Sequence, residues 1–223
     1  MKKKTKYALI YGGVIVVGLI YWLVTKLSKF QKQVVNQANL EADKWILYNE
    51  LDEETALIVQ DYWNRGVGLN VSVNQVLSED FQDQYAWSAA FTSWVMNVSG
   101  AGDSFPYSAT HSAYIIDTTK NRYNNPKAKF KAYDTNERKP KPSDLVCKTR
   151  SGTIASYGYD ENGEMIVQEG DRLHCDIVTK VHKDSVIVVG GNVNDKVQRK
   201  TLSLDSKGYI NEPDYFVLIK NKL

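Results

Sequence analysis

Residues 7–25, YALIYGGVIVVGLIYWLVT, form a run of about 19 residues without a charge, long enough to cross the hydrocarbon core of a bilayer as a helix. Tyr7, Tyr21 and Trp22 stand near its ends, where interfacial aromatics sit. A cleaved signal peptide is the competing reading. Against it, the run is long, it ends in Trp22 and Leu23, and no small-x-small site follows. The pattern predicts an N-terminal segment over 1–6, a single transmembrane anchor over 7–25, a helical stalk over 26–40 and one globular domain over 41–223. Lys2, Lys3, Lys4 and Lys6 precede the span, and Lys26, Lys29 and Lys32 follow it. This narrow positive-inside bias sets the N-terminus in the cytoplasm. The domain is then expected on the periplasmic or extracellular face of a bacterial inner or cytoplasmic membrane.

The rest of the chain has the composition of a folded protein, 43% hydrophobic and 24% charged over the whole sequence. The net charge is +2 with the cations scattered, so the basic stripe of a nucleic-acid binder is missing and no nucleic-acid partner is expected. A phosphate-cradling glycine loop and a metal-ligand cluster are missing too, so no cofactor is expected. Cys147 and Cys175 lack zinc-site spacing. One disulfide in an oxidising compartment and two buried free thiols both fit them. No motif names a protein partner.

Helical patterns come first. Residues 26–50 carry a sparse apolar stripe of Phe30, Val34, Val35, Leu40 and Trp45. A second helix is expected over 53–64, capped by Asp52 and stopped at Gly66. A third covers 86–98 (AWSAAFTSWVMNV) and a short one 108–119. Residues 120–142 hold three of the five prolines and read as a long loop. Strand patterns follow at 144–147, 174–178, 185–189 and 215–219. Helices first and strands later predict an α+β fold, with helices packed on an antiparallel sheet.

Ser88 opens the third helix, where free backbone amides and the positive end of the helix dipole favour a nucleophile and an oxyanion. Serine is equally a preferred helix cap. His174 and Asp176 alternate onto one face of a strand and Cys175 and Ile177 onto the other, so His174 can serve as a base or as a structural histidine. Asn192 follows Gly190 and Gly191, a pattern that suits an imidazole-orienting residue or a plain turn. His111, within YSATHS, is expected to line the same cleft. Trp87, Tyr107, His111 and Asp176 are the candidate substrate contacts, and Tyr114 is a further aromatic for the groove.

AWSAAFTSWVM, YSATHSAYI, SDLVC, HCDIV and GGNVNDKV, in this order, resemble the bacterial domain-of-unknown-function family 2272, which is similar to the NlpC and CHAP papain-like superfamily. The resemblance covers roughly residues 41–223. It implies a papain-like domain with Ser88 at the nucleophile position that relatives fill with cysteine, His174 at the histidine position and Asn192 at or near the polar third position. Asp144 falls on the aspartate of a Gly-Asp pair, with Ser143 in place of the glycine. Such relatives cleave amide bonds in peptidoglycan. A serine hydroxyl cannot ionise near neutral pH as an activated thiol does, so it depends wholly on a neighbouring base. Two expectations follow: a membrane-anchored serine-dependent amidase or peptidase acting on peptidoglycan through Ser88, His174 and Asn192, or a catalytically inactive module that binds peptidoglycan or a protein at the membrane.

Overall fold

The computed structural model describes residues 27–48, 53–150 and 156–223. The anchor expected over 7–25 and the cap expected at Asp52 lie outside them. Among the described residues no helix is long and apolar enough to cross a membrane.

Helix α1 (Lys29–Lys44) begins with a capping box: Ser28 Oγ accepts from the Gln31 amide and Gln31 Oε1 from the Ser28 amide, each at 3.0 Å. Its buried residues Phe30, Val34, Ala38 and Ala42 recur every four positions and enter the main core. Ser28 Oγ donates to the Leu223 carbonyl at 2.7 Å, and Arg199 bonds Asp43 and Asn39. From Ser28 onward, therefore, the segment expected as a stalk is a wall of the domain. The stripe also shifts: Leu40 is half exposed, and Ala38 and Ala42 take the buried positions.

Helix α2 (Glu53–Asp61) runs into a π-helical turn, Tyr62–Val67, capped by Gly68 at φ 81°. The expected stop at Gly66 is instead a close approach. A Cβ there would lie 2.5 Å from the Ala90 carbonyl oxygen and 2.7 Å from the Trp94 nitrogen, so glycine lets this turn touch the helix behind it. Two short helices, α3 (Val73–Val76) and α4 (Glu79–Gln84), lead to α5 (Ser88–Ser99). Ten of the residues of α5 are buried, on every side of the helix, which makes it the central helix of the domain. Helix α6 (His111–Asn124) follows.

Six strands, β1 (Phe130–Asp134), β2 (Leu145–Thr149), β3 (Leu173–Val181), β4 (Ser185–Gly190), β5 (Gln198–Ser203) and β6 (Tyr215–Asn221), form one antiparallel sheet in the order β1-β6-β2-β3-β4-β5. The fold is α+β. The segment read as a loop over 120–142 holds the end of α6 and all of β1, whose prolines flank the strand rather than interrupt it. The main core lies between the helices and one sheet face, and a smaller cluster of Val146, Val178, Val186, Val188, Leu202 and neighbours fills the other.

Cys147 and Cys175 face each other across β2 and β3 and form a disulfide, which settles the open choice between bridge and free thiols. Asp144 is buried just before β2. It accepts from the Lys141 and Asn221 amides at 2.7 and 2.9 Å and pairs with Lys220, tying the start of β2 to the end of β6. Ser143 holds φ 77°, a left-handed conformation that glycine adopts more easily. The Ser143 hydroxyl offsets part of the strain by accepting from Asn221 Nδ2 at 3.1 Å.

Candidate active site

Two helix starts meet at the site, because Ser88 is the first residue of α5 and His111 the first of α6. The loop before α6 is pinned to α5 through Ser93, whose Oγ donates to the Ser108 carbonyl at 3.0 Å and accepts from the Ser108 amide at 3.2 Å. That anchorage sets Ser88 Oγ 2.8 Å from His111 Nε2, with both residues buried. The helix cap position belongs to Trp87, which makes no side-chain cap bond, so the Ser88 hydroxyl is turned toward an imidazole and not into its own helix.

His111 Nδ1 contacts the hydroxyl of Tyr114, one turn along α6. Tyr114 in turn bonds Thr92, whose hydroxyl donates to the Ser88 carbonyl at 3.3 Å. In the tautomer that carries its proton on Nδ1, His111 donates to the Tyr114 oxygen and Nε2 accepts the Ser88 proton. Burial, then the neighbouring His174 and Arg150, push His111 well below the usual histidine range. Burial drives Tyr114 well above the usual tyrosine range, so it stays a neutral hydroxyl.

A second station stands 5.3 Å away, measured between the His111 and His174 rings. His174 Nε2–H donates to Asp176 Oδ1 at 2.9 Å, and the Tyr215 hydroxyl donates to Asp176 Oδ2 at 2.7 Å. Burial raises the Asp176 carboxyl, but the electrostatic pull and hydrogen bond of the His174 imidazole and the Tyr215 bond outweigh it, leaving it below the usual carboxylate range. Gly190 makes room for this pair: a Cβ there would overlap Asp176 Oδ1 and lie 2.8 Å from His174 Nε2. Gly191 does the same for α5, where a Cβ would come within 2.6 Å of Phe91.

Arg150 joins the two stations. One guanidinium nitrogen, Nη2, lies 2.9 Å from His174 Nδ1, 3.3 Å from Ser88 Oγ and 3.5 Å from the Asn192 carbonyl. Since Arg can only donate, His174 Nδ1 is an acceptor here. Beyond Arg150 opens a cleft of about 220 Å³ lined by Lys148, Arg150, His174, Asp176, Asn192, Val193, Gln198, Lys200 and Tyr215.

Thus the structure brings Ser88 to His111 directly and to His174 only through Arg150. Asn192, at φ 53°, lines the cleft and meets Arg150 through its backbone oxygen. Asp176 sits beside His174. Trp87 is buried and stacked on Trp45 at 5.1 Å, Tyr114 is buried behind His111, and Tyr107 packs edge-on against Phe105. None of these three lines the cleft. Sequence reasoning missed Arg150, Lys148, Lys200 and Tyr215. The signal was there for the first two, since strand alternation from Val146 sets Lys148 and Arg150 on one side of β2. Among the described residues no group of three His, Cys, Asp or Glu is placed to hold a metal ion.

One family model matches residues 55–221, that of an uncharacterized protein conserved in bacteria (DUF2272). No curated protein and no solved structure matches the chain.

Proposed function

The chain belongs to this uncharacterized bacterial family, and on that premise we propose that it is a serine-dependent hydrolase of the cell envelope that cleaves amide bonds in peptidoglycan. The observation that carries the reading is the 2.8 Å contact between Ser88 Oγ and His111 Nε2 at the start of a buried helix. In this scheme Ser88 gives its proton to His111 Nε2 as its oxygen attacks the carbonyl carbon. The amides of Ser88, Ala89 and Ala90 lack carbonyl partners within the helix and stabilise the oxyanion. His111 then returns the proton to the departing amine, and water releases the acyl group from Ser88 by the same relay. The base is thus His111, with His174 and Asp176 as a flanking pair, in place of the set Ser88, His174 and Asn192.

The papain-like NlpC and CHAP relationship is part of the proposal. It is supported by a serine at a helix start, linked through Arg150 to a histidine at the start of β3. Attachment through residues 7–25, with the domain on the outer face, fits the Cys147–Cys175 disulfide, because such bonds persist in oxidising compartments.

A binding module is the second reading, and one observation favours it: Ser88 is 2% exposed and lies beneath Arg150. The experiment incubates the full chain in detergent micelles with purified peptidoglycan and follows released fragments by mass spectrometry, for wild type and Ser88→Ala. Fragments from the wild type alone support the hydrolase. No fragments from either protein, with the wild type pelleting with the polymer, support the module.

A further inference from the structure

Resting on the hydrolase reading of Ser88, we propose that the cleft beyond Arg150 is a carboxylate subsite that receives the free C-terminal end of a peptide. Three cations line it, Lys148, Arg150 and Lys200, and among the described residues none of them forms an ion pair. The one acid in the lining, Asp176, is already engaged by His174 and Tyr215. The cleft therefore carries unbalanced positive charge in a concave setting, which concentrates anions.

The cations are held in place. The ammonium groups of Lys148 and Lys200 lie 5.8 and 5.3 Å from the centre of the Tyr215 ring, so one aromatic ring steadies both. The closest partners of Arg150 are uncharged: a hydroxyl, an imidazole nitrogen and a carbonyl. Its planar fork matches a carboxylate.

Size and spacing identify the end of a chain. The cleft, about 220 Å³, falls below the roughly 300–1,000 Å³ that encloses a whole ligand, so it admits a terminal residue. Arg150 Nη2 stands 3.3 Å from Ser88 Oγ. A carboxylate paired with that guanidinium at about 2.8 Å is therefore within about one residue, roughly 3.8 Å between Cα atoms, of the attacking oxygen. The bond presented to Ser88 is the last peptide bond of the substrate, and the enzyme is exo-acting.

The test measures binding by calorimetry with the full-length Ser88→Ala chain in detergent at low salt, so that nothing is cleaved. The probes are a stem-type peptide ending in D-alanine with a free carboxylate, the same peptide as its C-terminal amide, and inorganic phosphate. The carboxylate form is expected to bind at least about tenfold tighter than the amide. The preference should shrink severalfold when Lys148→Gln and Lys200→Gln are added and disappear when Arg150→Gln is added to them, with an unchanged thermal melt as the control for folding. Equal binding of the two peptides, or a preference that survives all three substitutions, overturns the subsite. Phosphate that displaces the peptide at matching concentration overturns the carboxylate assignment. Cleavage by wild type of both peptides alike leaves the hydrolase standing and removes the subsite. Selective binding without any cleavage by wild type does the reverse.

Discussion

The two histidines of the site are the same side chain in opposite surroundings. His111 comes from the helical layer, and its partners are a serine and a tyrosine hydroxyl, both neutral. His174 comes from the sheet and is held between a buried carboxylate and a guanidinium. The first sets Nε2 against a nucleophile; both nitrogens of the second are held by ionisable groups. Position within a recognisable strand thus identifies an important histidine, but its hydrogen-bond partners decide which proton it can take.

The sharpest way to break that comparison is to remove each imidazole in turn. A positioned general base contributes about 10²–10⁴-fold to rate. His111→Gln should cost peptidoglycan cleavage a factor in that range, and His174→Gln under about tenfold, both read as initial rates of fragment release. The reverse order would make His174 the base and turn the Arg150 bridge into a resting arrangement.

The next largest effect concerns the stapling of the sheet station. The Cys147–Cys175 bridge closes a separation of 28 residues, worth about 3–4 kcal/mol in the chain-entropy account. It holds the register that sets Lys148 opposite His174. Replacing both cysteines by alanine should lower the unfolding free energy by about that amount, measured by urea titration. A loss below about 1 kcal/mol would mean that the register is held by strand pairing alone.

Much of this was legible in the chain. The order of helices and strands gave an α+β fold, and period-two alternation put His174 beside Asp176. What escaped was set by tertiary contact. β5, reading QRKTLS, buries only Leu202 and carries little apolar signal. Gly66 and Gly190 look like punctuation in sequence, yet both are glycine because another backbone or side chain occupies the space of a Cβ. The Ser88–His111 contact depends on Ser93 pinning the loop before α6, a pairing 15 residues apart that no local pattern encodes.

Gly190→Ala probes the His174 station alone. A Cβ overlapping Asp176 and crowding His174 should destabilise the domain by about 1–3 kcal/mol, the usual cost of overpacking. The Ser88–His111 contact should survive. A thermal melt within experimental error of wild type would show that the carboxylate has room to move aside.

The smallest effect separates the histidines by pH. An unfolded histidine protonates near pH 6.5. Folded His111 resists protonation because it is buried and because His174 and Arg150 stand near it. Below about pH 6.5 the unfolded chain therefore takes up a proton that the folded chain refuses, and stability falls as pH falls until folded His111 itself protonates. His111→Gln should flatten that decline between about pH 6.5 and 5, seen as a smaller change in urea midpoint than in wild type. The depressed carboxyl of Asp176 acts in a separate window: its contribution is complete above about pH 3.9 and is lost as pH falls through its folded value. For activity the direction follows from the same shift, because cleavage needs His111 unprotonated. The acid limb of kcat should then fall below pH 6.5, and an acid limb above that value would exclude His111 as the group that takes the Ser88 proton.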